Sequence, residues 1–226
     1  MAGKIVVFDL DGTLIDTAPD LVGSLNHSLA AGGLAQADPR WLRAYLGQGG
    51  RVMIERAFRA ARTALSEAEH ERLYRLFLDH YGTNIPGASA PYPGVPAALA
   101  RLAAAGFRLA ICTNKTEAFA ARLIEALGMG GHFAAIRGQD SYPFRKPDPR
   151  HLLATIADAG GDAGRALMVG DSATDAETAK AAGVPVVLVD FGYADGDLAL
   201  FEPSALISHF DELTVELAEK LLAAAG

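Results

Sequence analysis

Residues 4–14 read Lys4-Ile5-Val6-Val7-Phe8-Asp9-Leu10-Asp11-Gly12-Thr13-Leu14. The first half is an almost unbroken apolar, β-branched run, the pattern of a strand buried on both faces of a parallel sheet. The second half breaks that run with two carboxylates and a glycine. A strand over Lys4–Leu10 therefore ends in an acidic turn. If the strand continued, Asp9 and Asp11, two apart, would point the same way. Carboxylates that close repel one another unless a cation or a shared proton compensates. Gly12 lets the backbone turn sharply. Taken alone, these residues suit equally a turn that only ends a strand.

Outward from this stretch, similar apolar runs recur at Phe107–Cys112, Phe133–Ile136, Ala166–Val169 and Val184–Val189, with a shorter one at Ala205–Ile207. Between them lie Ala/Leu-rich segments of helical period at Val95–Ala105, Glu117–Leu127, His151–Ala159 and Thr174–Ala182, and Asp211–Ala225 forms a closing helix. Strand then helix, repeated, predicts an α/β fold: a parallel sheet with helices on both faces. Residues 17–90 interrupt the rhythm. They show no strand pattern, but helical pattern at Ala18–Ala31, Arg40–Tyr45, Val52–Ala60 and Glu67–Tyr81. Thr17-Ala18-Pro19-Asp20 matches a capping box, and the Gly- and Pro-rich stretch 82–93 reads as a return linker. The expected organisation is an α/β core from 1–16 and 91–226 with a helical insert over 17–90.

Composition bounds the function. Of 226 residues, 50% are apolar and 21% charged, enough to bury a full core. Lys and Arg number 20 against 27 Asp and Glu, a net charge of −7. That balance argues against a general affinity for nucleic acid or anionic membrane. A single cysteine, Cys112, rules out an intrachain disulfide and suits a reducing compartment. No apolar run approaches the roughly 20 residues that cross a bilayer. The N-terminus enters its first strand at once, which leaves no space for a signal peptide. The expectation is a cytoplasmic protein acting on a small molecule, without nucleic-acid or membrane partners.

Three more polar segments follow predicted strands. In Thr113-Asn114-Lys115, a hydroxyl and backbone amides at a strand-to-helix turn suit a phosphate, and equally a helix cap. In Lys146-Pro147-Asp148-Pro149, Asp148 reads as an N-cap and Pro149 as the first helical residue. Lys146 then sits at the positive end of a helix, where a cation gains nothing unless an anion binds beside it. In Gly170-Asp171-Ser172-Ala173-Thr174-Asp175, a Ser172/Asp175 capping box leaves Asp171 without a role. All four segments fall at the C-terminal ends of predicted parallel strands, the edge where doubly wound sheets bind ligands.

The series Asp9-x-Asp11-Gly12-Thr13, Thr113-Asn114, Lys146-Pro147 and Gly170-Asp171-Ser172-x-x-Asp175 resembles the motifs of the haloacid dehalogenase-like hydrolase superfamily. Within it the chain is most similar to the phosphoglycolate phosphatases, through Thr113–Lys115, Lys146–Pro149, Val169–Asp175, Ala179–Gly183, Phe191-Gly192-Tyr193 and Gly47-Gln48-Gly49-Gly50. Thr116 stands where those relatives often carry proline. The resemblance implies a Rossmann-like sheet of strand order 3-2-1-4-5, with residues 17–90 as an α-helical cap. It implies Asp9 as a nucleophile forming an aspartyl-phosphate, and Asp11 as general acid and then base. Thr113, Asn114, Gly12 and Lys146 would surround the phosphoryl group. Mg2+ would be held by Asp9, Asp171, the backbone carbonyl of Asp11, and Asp175 directly or through water. Arg51, with Arg43 and Arg56, is a candidate for a substrate carboxylate, because guanidinium binds it bidentately; arginines on helices are also commonly just solvated. Gly47, Gly49 and Gly50 suit a hinge or loop tip.

The implied activity is hydrolysis of a small phosphate monoester, 2-phosphoglycolate first. A pyrophosphatase or a β-phosphoglucomutase-like enzyme is the alternative within the superfamily. Dehalogenation would leave Asp11 idle. A phosphonatase would want a lysine in the insert, and residues 17–90 contain none. A receiver-type phosphorylation switch uses similar residues but is much shorter and orders them differently. Charge supports a metal: four acidic side chains around a phosphate dianion need a cation, and oxygen donors favour Mg2+ over zinc. The six histidines show no H-E-x-x-H spacing.

Overall fold

The structure, a computed structural model, describes residues 3–37, 43–194 and 196–225. Backbone proximity divides the chain into two compact units, residues 1–16 with 91–226 and residues 17–90. The α-helices among the described residues are α1 Ala18–Ala31, α2 Gly50–Ala60, α3 Glu67–Asn84, α4 Val95–Ala104, α5 Glu117–Ala126, α6 Pro149–Asp158, α7 Ala173–Ala182 and α8 Val215–Ala225. None is long and apolar enough to cross a membrane.

The first unit is built on β1 Gly3–Phe8, β2 Arg108–Cys112, β3 Ala135–Arg137, β4 Gly161–Gly170, β5 Val186–Val189 and β6 Ala205–Ile207. Every pairing within this six-stranded sheet is parallel, in the order β3-β2-β1-β4-β5-β6. The expected order 3-2-1-4-5 is present, and the short sixth run is its edge strand. Phe8 lies level with Ile111 on one side and Val169 on the other, so three strands end together. Ile5, Val7, Cys112, Met168 and Leu188 join Leu152, Ile156 and Ala179 in one buried cluster. Burying each large side chain there is worth about 1.5–3 kcal/mol. Burial pushes the Cys112 thiol up to about 12, so this residue is core, not nucleophile.

The elements depart from expectation mainly where long-range contacts intervene. Strand β1 stops at Phe8, because the N–H groups of Thr13, Leu14 and Ile15 all converge on Leu10 O at 3.3, 3.0 and 3.0 Å. Asp9 and Asp11 thus lie beyond the end of the strand, so its alternation of faces no longer sets their side chains. Asp148 does cap α6, accepting the Arg150 N–H at 3.0 Å. The N-cap of α5 is Thr116, not Thr113 or Asn114. Helix α8 starts at Val215, after a 3-10 turn at Phe210–Glu212.

In the second unit, α3 continues to Asn84, so the return linker starts only at residue 85. Residues 40–42 of the expected Arg40–Tyr45 helix lie outside the described residues, and Arg43–Gln48 form a 3-10 helix. The Thr17/Asp20 capping box does not form: Thr17 makes no side-chain cap. The Asp20 carboxylate instead accepts the N–H groups of Ala88 and Ser89, both at 2.9 Å, satisfying donors in the returning chain. Gly49 has φ 86° ahead of α2, and a Cβ on Gly50 would lie 2.6 Å from the Phe77 ring, so Gly50 is a packing position.

Candidate active site

The parallel ladder continues one residue beyond the strands and sets the site. The Asp9 N–H donates to Val169 O at 2.9 Å and the Thr113 N–H to Arg137 O at 3.0 Å. Asp171 directly follows β4. Three polar side chains are thereby fixed at the C-terminal edge of adjacent strands, at the point where the strand order reverses.

Asp9, Asp171 and Asp175 each bring a carboxylate oxygen within 4.8 Å of the others. Lys146 lies among them, its Nζ 3.0 Å from Asp9 Oδ1 and 2.7 Å from Asp175 Oδ1, with its side chain 1% exposed. Asp9 Oδ1 also accepts the Leu10 N–H at 2.7 Å. No donor among the described residues is hydrogen-bonded to Asp9 Oδ2. The second oxygen of Asp175 accepts the Ser172 hydroxyl at 2.6 Å and the N–H groups of Ser172 and Asp171 at 3.1 and 3.2 Å, closing the expected capping box of α7. Asp171 is held by the Tyr193 N–H at 2.7 Å and the Thr13 hydroxyl at 3.2 Å, one on each oxygen.

Close backbone approach makes this packing possible. Gly12 adopts φ 81°, and a Cβ there would lie 2.4 Å from Asp171 Oδ2. A Cβ on Gly192 would lie 2.3 Å from Asp171 Cβ. The Gly12 N–H is used within the turn, donating to Ile15 O at 3.0 Å, so Gly12 contributes space at the site.

The electrostatics follow from burial. Desolvation, reinforced by Asp175, pushes Asp9 up to about 6, against the pull of Lys146 and the Leu10 N–H. Burial and the charges of Asp175 and Asp9 likewise hold Asp171 well above the usual carboxylate range. Burial opposes the charge on Lys146, but Asp175 and Asp9 outweigh it and raise its pKa. His151 is fully buried, and desolvation, then Lys146, lowers it to about 4, so it adds no second cation at neutral pH. One ammonium faces three carboxylates. Oxygen-only donors this close, two of them raised by burial and then by neighbouring carboxylates, are chemically suited to a hard divalent cation.

The Asp11 carboxylate is not part of this trio. Both its oxygens meet Lys115 Nζ, at 2.9 and 3.1 Å. Thr113 is buried, and its Oγ1 accepts the Lys115 N–H at 3.1 Å, which leaves the hydroxyl proton to donate. Asn114 directs Nδ2 to Lys146 O at 3.1 Å and so steadies the backbone of Lys146. Within the unit of residues 17–90, Arg51 pairs with Glu71 and lies 4.1 Å over the Tyr74 ring, and Arg56 lies 5.1 Å over Tyr45. The Arg43 side chain lies outside the described residues. Sequence reasoning missed Lys115, Thr13 and Tyr193. All three lie within the motif segments, but nothing local links them to their aspartates.

A family model for haloacid dehalogenase-like hydrolases matches residues 4–183. The chain is 67% identical to a phosphoglycolate phosphatase of Mesorhizobium japonicum over 226 residues, covering 100% of both chains. It is 51% identical over 218 residues to a phosphoglycolate phosphatase of Agrobacterium fabrum, covering 96% of this chain and 94% of that one. Its fold is similar to the solved structure of a predicted phosphoglycolate phosphatase from Haemophilus somnus, with TM-score 0.87 and 32% identity over 93% of this chain and 96% of that one.

Proposed function

The chain belongs to the haloacid dehalogenase-like hydrolases, and from that premise we propose that it is a Mg2+-dependent phosphatase that hydrolyses 2-phosphoglycolate through an aspartyl-phosphate. The observation that carries this reading is the Asp9–Asp171–Asp175 cluster, half-buried at Asp9 and buried at the other two, with Lys146 inside it on the carboxyl edge of a parallel sheet. The relatives' activity supports the choice of substrate.

Asp9 attacks phosphorus with the carboxylate oxygen that no donor holds. The acyl-phosphate bond forms as the ester P–O bond breaks. Asp11 gives a proton to the departing alkoxide. It then takes one from the water that attacks the aspartyl-phosphate and releases inorganic phosphate. Lys146 and the Thr113 hydroxyl hold the equatorial phosphoryl oxygens, where charge accumulates. Asn114 keeps Lys146 in place, and Gly12 leaves the space beside Asp171. Asp9, Asp171 and the backbone carbonyl of Asp11 would hold Mg2+, with Asp175, already saturated by donors, acting through water. When bound, the cation supplies the positive charge that lets an anionic ester approach these carboxylates. The helical unit 17–90 serves as a cap, and Arg51, paired with Glu71, is the candidate substrate-binding residue of that unit. The buried single cysteine and the acidic composition fit work in the cytoplasm.

Phosphate release from 2-phosphoglycolate tests the reading. We expect turnover with Mg2+, its loss in chelator and its return on readdition of Mg2+. Undiminished turnover after exhaustive metal removal, or a phosphoenzyme that persists for minutes without release, would refute it.

A further inference from the structure

Lys115 is a half-buried cation that the reaction above does not use. Its side chain is 7% exposed, against 16% for the partner Asp11, and its ammonium meets both oxygens of that carboxylate. The backbone N–H of Lys115 is held by Thr113 Oγ1, so the lysine is anchored to a residue on the phosphoryl side of the site. To protonate the departing oxygen, Asp11 must come within about 3 Å of it. A cation bonded to Asp11 is then carried to the leaving-group side of the substrate.

That location has a consequence for charge. Once Asp11 has given up its proton it is anionic and would repel a carboxylate on the carbon next to the ester oxygen, because like charges this close disfavour one another. An ammonium on a flexible four-carbon stem offers three N–H donors and accommodates two carboxylates at once. We propose that Lys115 determines specificity by reading a carboxylate on the leaving group, which makes 2-phosphocarboxylates the substrate class. The inference rests on the aspartyl-phosphatase reading of the same site. Lys115 bridges Asp11 and the substrate, and Lys146 serves the phosphoryl group, so each anionic end of the ester has its own cation.

The test compares 2-phosphoglycolate with 2-hydroxyethyl phosphate, which has the same carbon count and an uncharged leaving group. The wild-type enzyme should prefer 2-phosphoglycolate. Lys115→Met should lower kcat/KM for 2-phosphoglycolate at least tenfold more than for 2-hydroxyethyl phosphate, and Lys115→Arg should recover part of the preference. Equal losses on both esters would overturn the proposal, since the lysine would then act only through Asp11. So would a wild-type enzyme with no preference, a result that needs no variant to fold. Wild-type enzyme that releases phosphate from neither ester would sink the phosphatase reading itself, a distinguishable failure.

Discussion

Replacing Asp9 by asparagine separates charge from shape at the centre of the site. The Asp9 carboxyl is raised from 3.8 to about 6, chiefly by burial. At about 1.4 kcal/mol per pKa unit, ionised Asp9 costs the metal-free native state about 3 kcal/mol, as an upper limit. The sign follows from proton uptake: between about pH 4 and 6 the folded state holds this proton and the unfolded chain has lost it. Stability of the metal-free protein therefore falls as pH rises through that window, and the full penalty stands at neutral pH. Asparagine keeps the shape and carries no such penalty. Scanning calorimetry in chelator at pH 7.5 should show Asp9→Asn melting several degrees above wild type, given roughly 2–4 °C per kcal/mol for a protein of this size. The gap should shrink by roughly half at pH 5. Mg2+ should raise the wild-type melting temperature more than the variant's, while the variant releases no phosphate above background, because an amide is no nucleophile. A variant that melts below wild type in chelator at pH 7.5 would refute the idea of uncompensated charge. Substantial turnover by it would remove the covalent mechanism.

Lys146→Ala leaves Asp9 and Asp175 buried without their shared cation. In chelator it should lose about 3–5 kcal/mol of stability in denaturant titrations, and kcat/KM should fall at least ~100-fold; an unchanged unfolding midpoint would contradict the ion-pair assignment. Gly12→Ala forces a side chain onto a φ of 81° and into Asp171. A loss of about 1–3 kcal/mol and a raised Mg2+ requirement in calorimetric titration are expected, and wild-type Mg2+ affinity would count against the role of Asp171.

Buried parallel strands write themselves as contiguous apolar runs, so β1 to β6 could be read from Ile5–Phe8 and its counterparts, except that β4 begins at Gly161, ahead of its apolar run, in a half-exposed stretch that periodicity does not mark. Asp148 and Pro149 were equally readable, because an N-cap and a first-turn proline are local devices. Asp175 was readable as the partner of Ser172 for the same reason. The order of acidic and basic segments along the chain, each after a strand, pointed to one edge of one sheet before any distance was known. Other features required the fold. The turn after Phe8 carries Asp11 off the strand, with three amides on the Leu10 carbonyl. Asp20 serves Ala88 and Ser89, not Thr17. Lys115 reaches Asp11, and Thr13 and Tyr193 clasp Asp171. Periodicity and capping are properties of neighbouring residues, so a sequence displays them directly. Which cation meets which carboxylate depends on where the chain returns in space, and only the packed sheet brings those distant groups together.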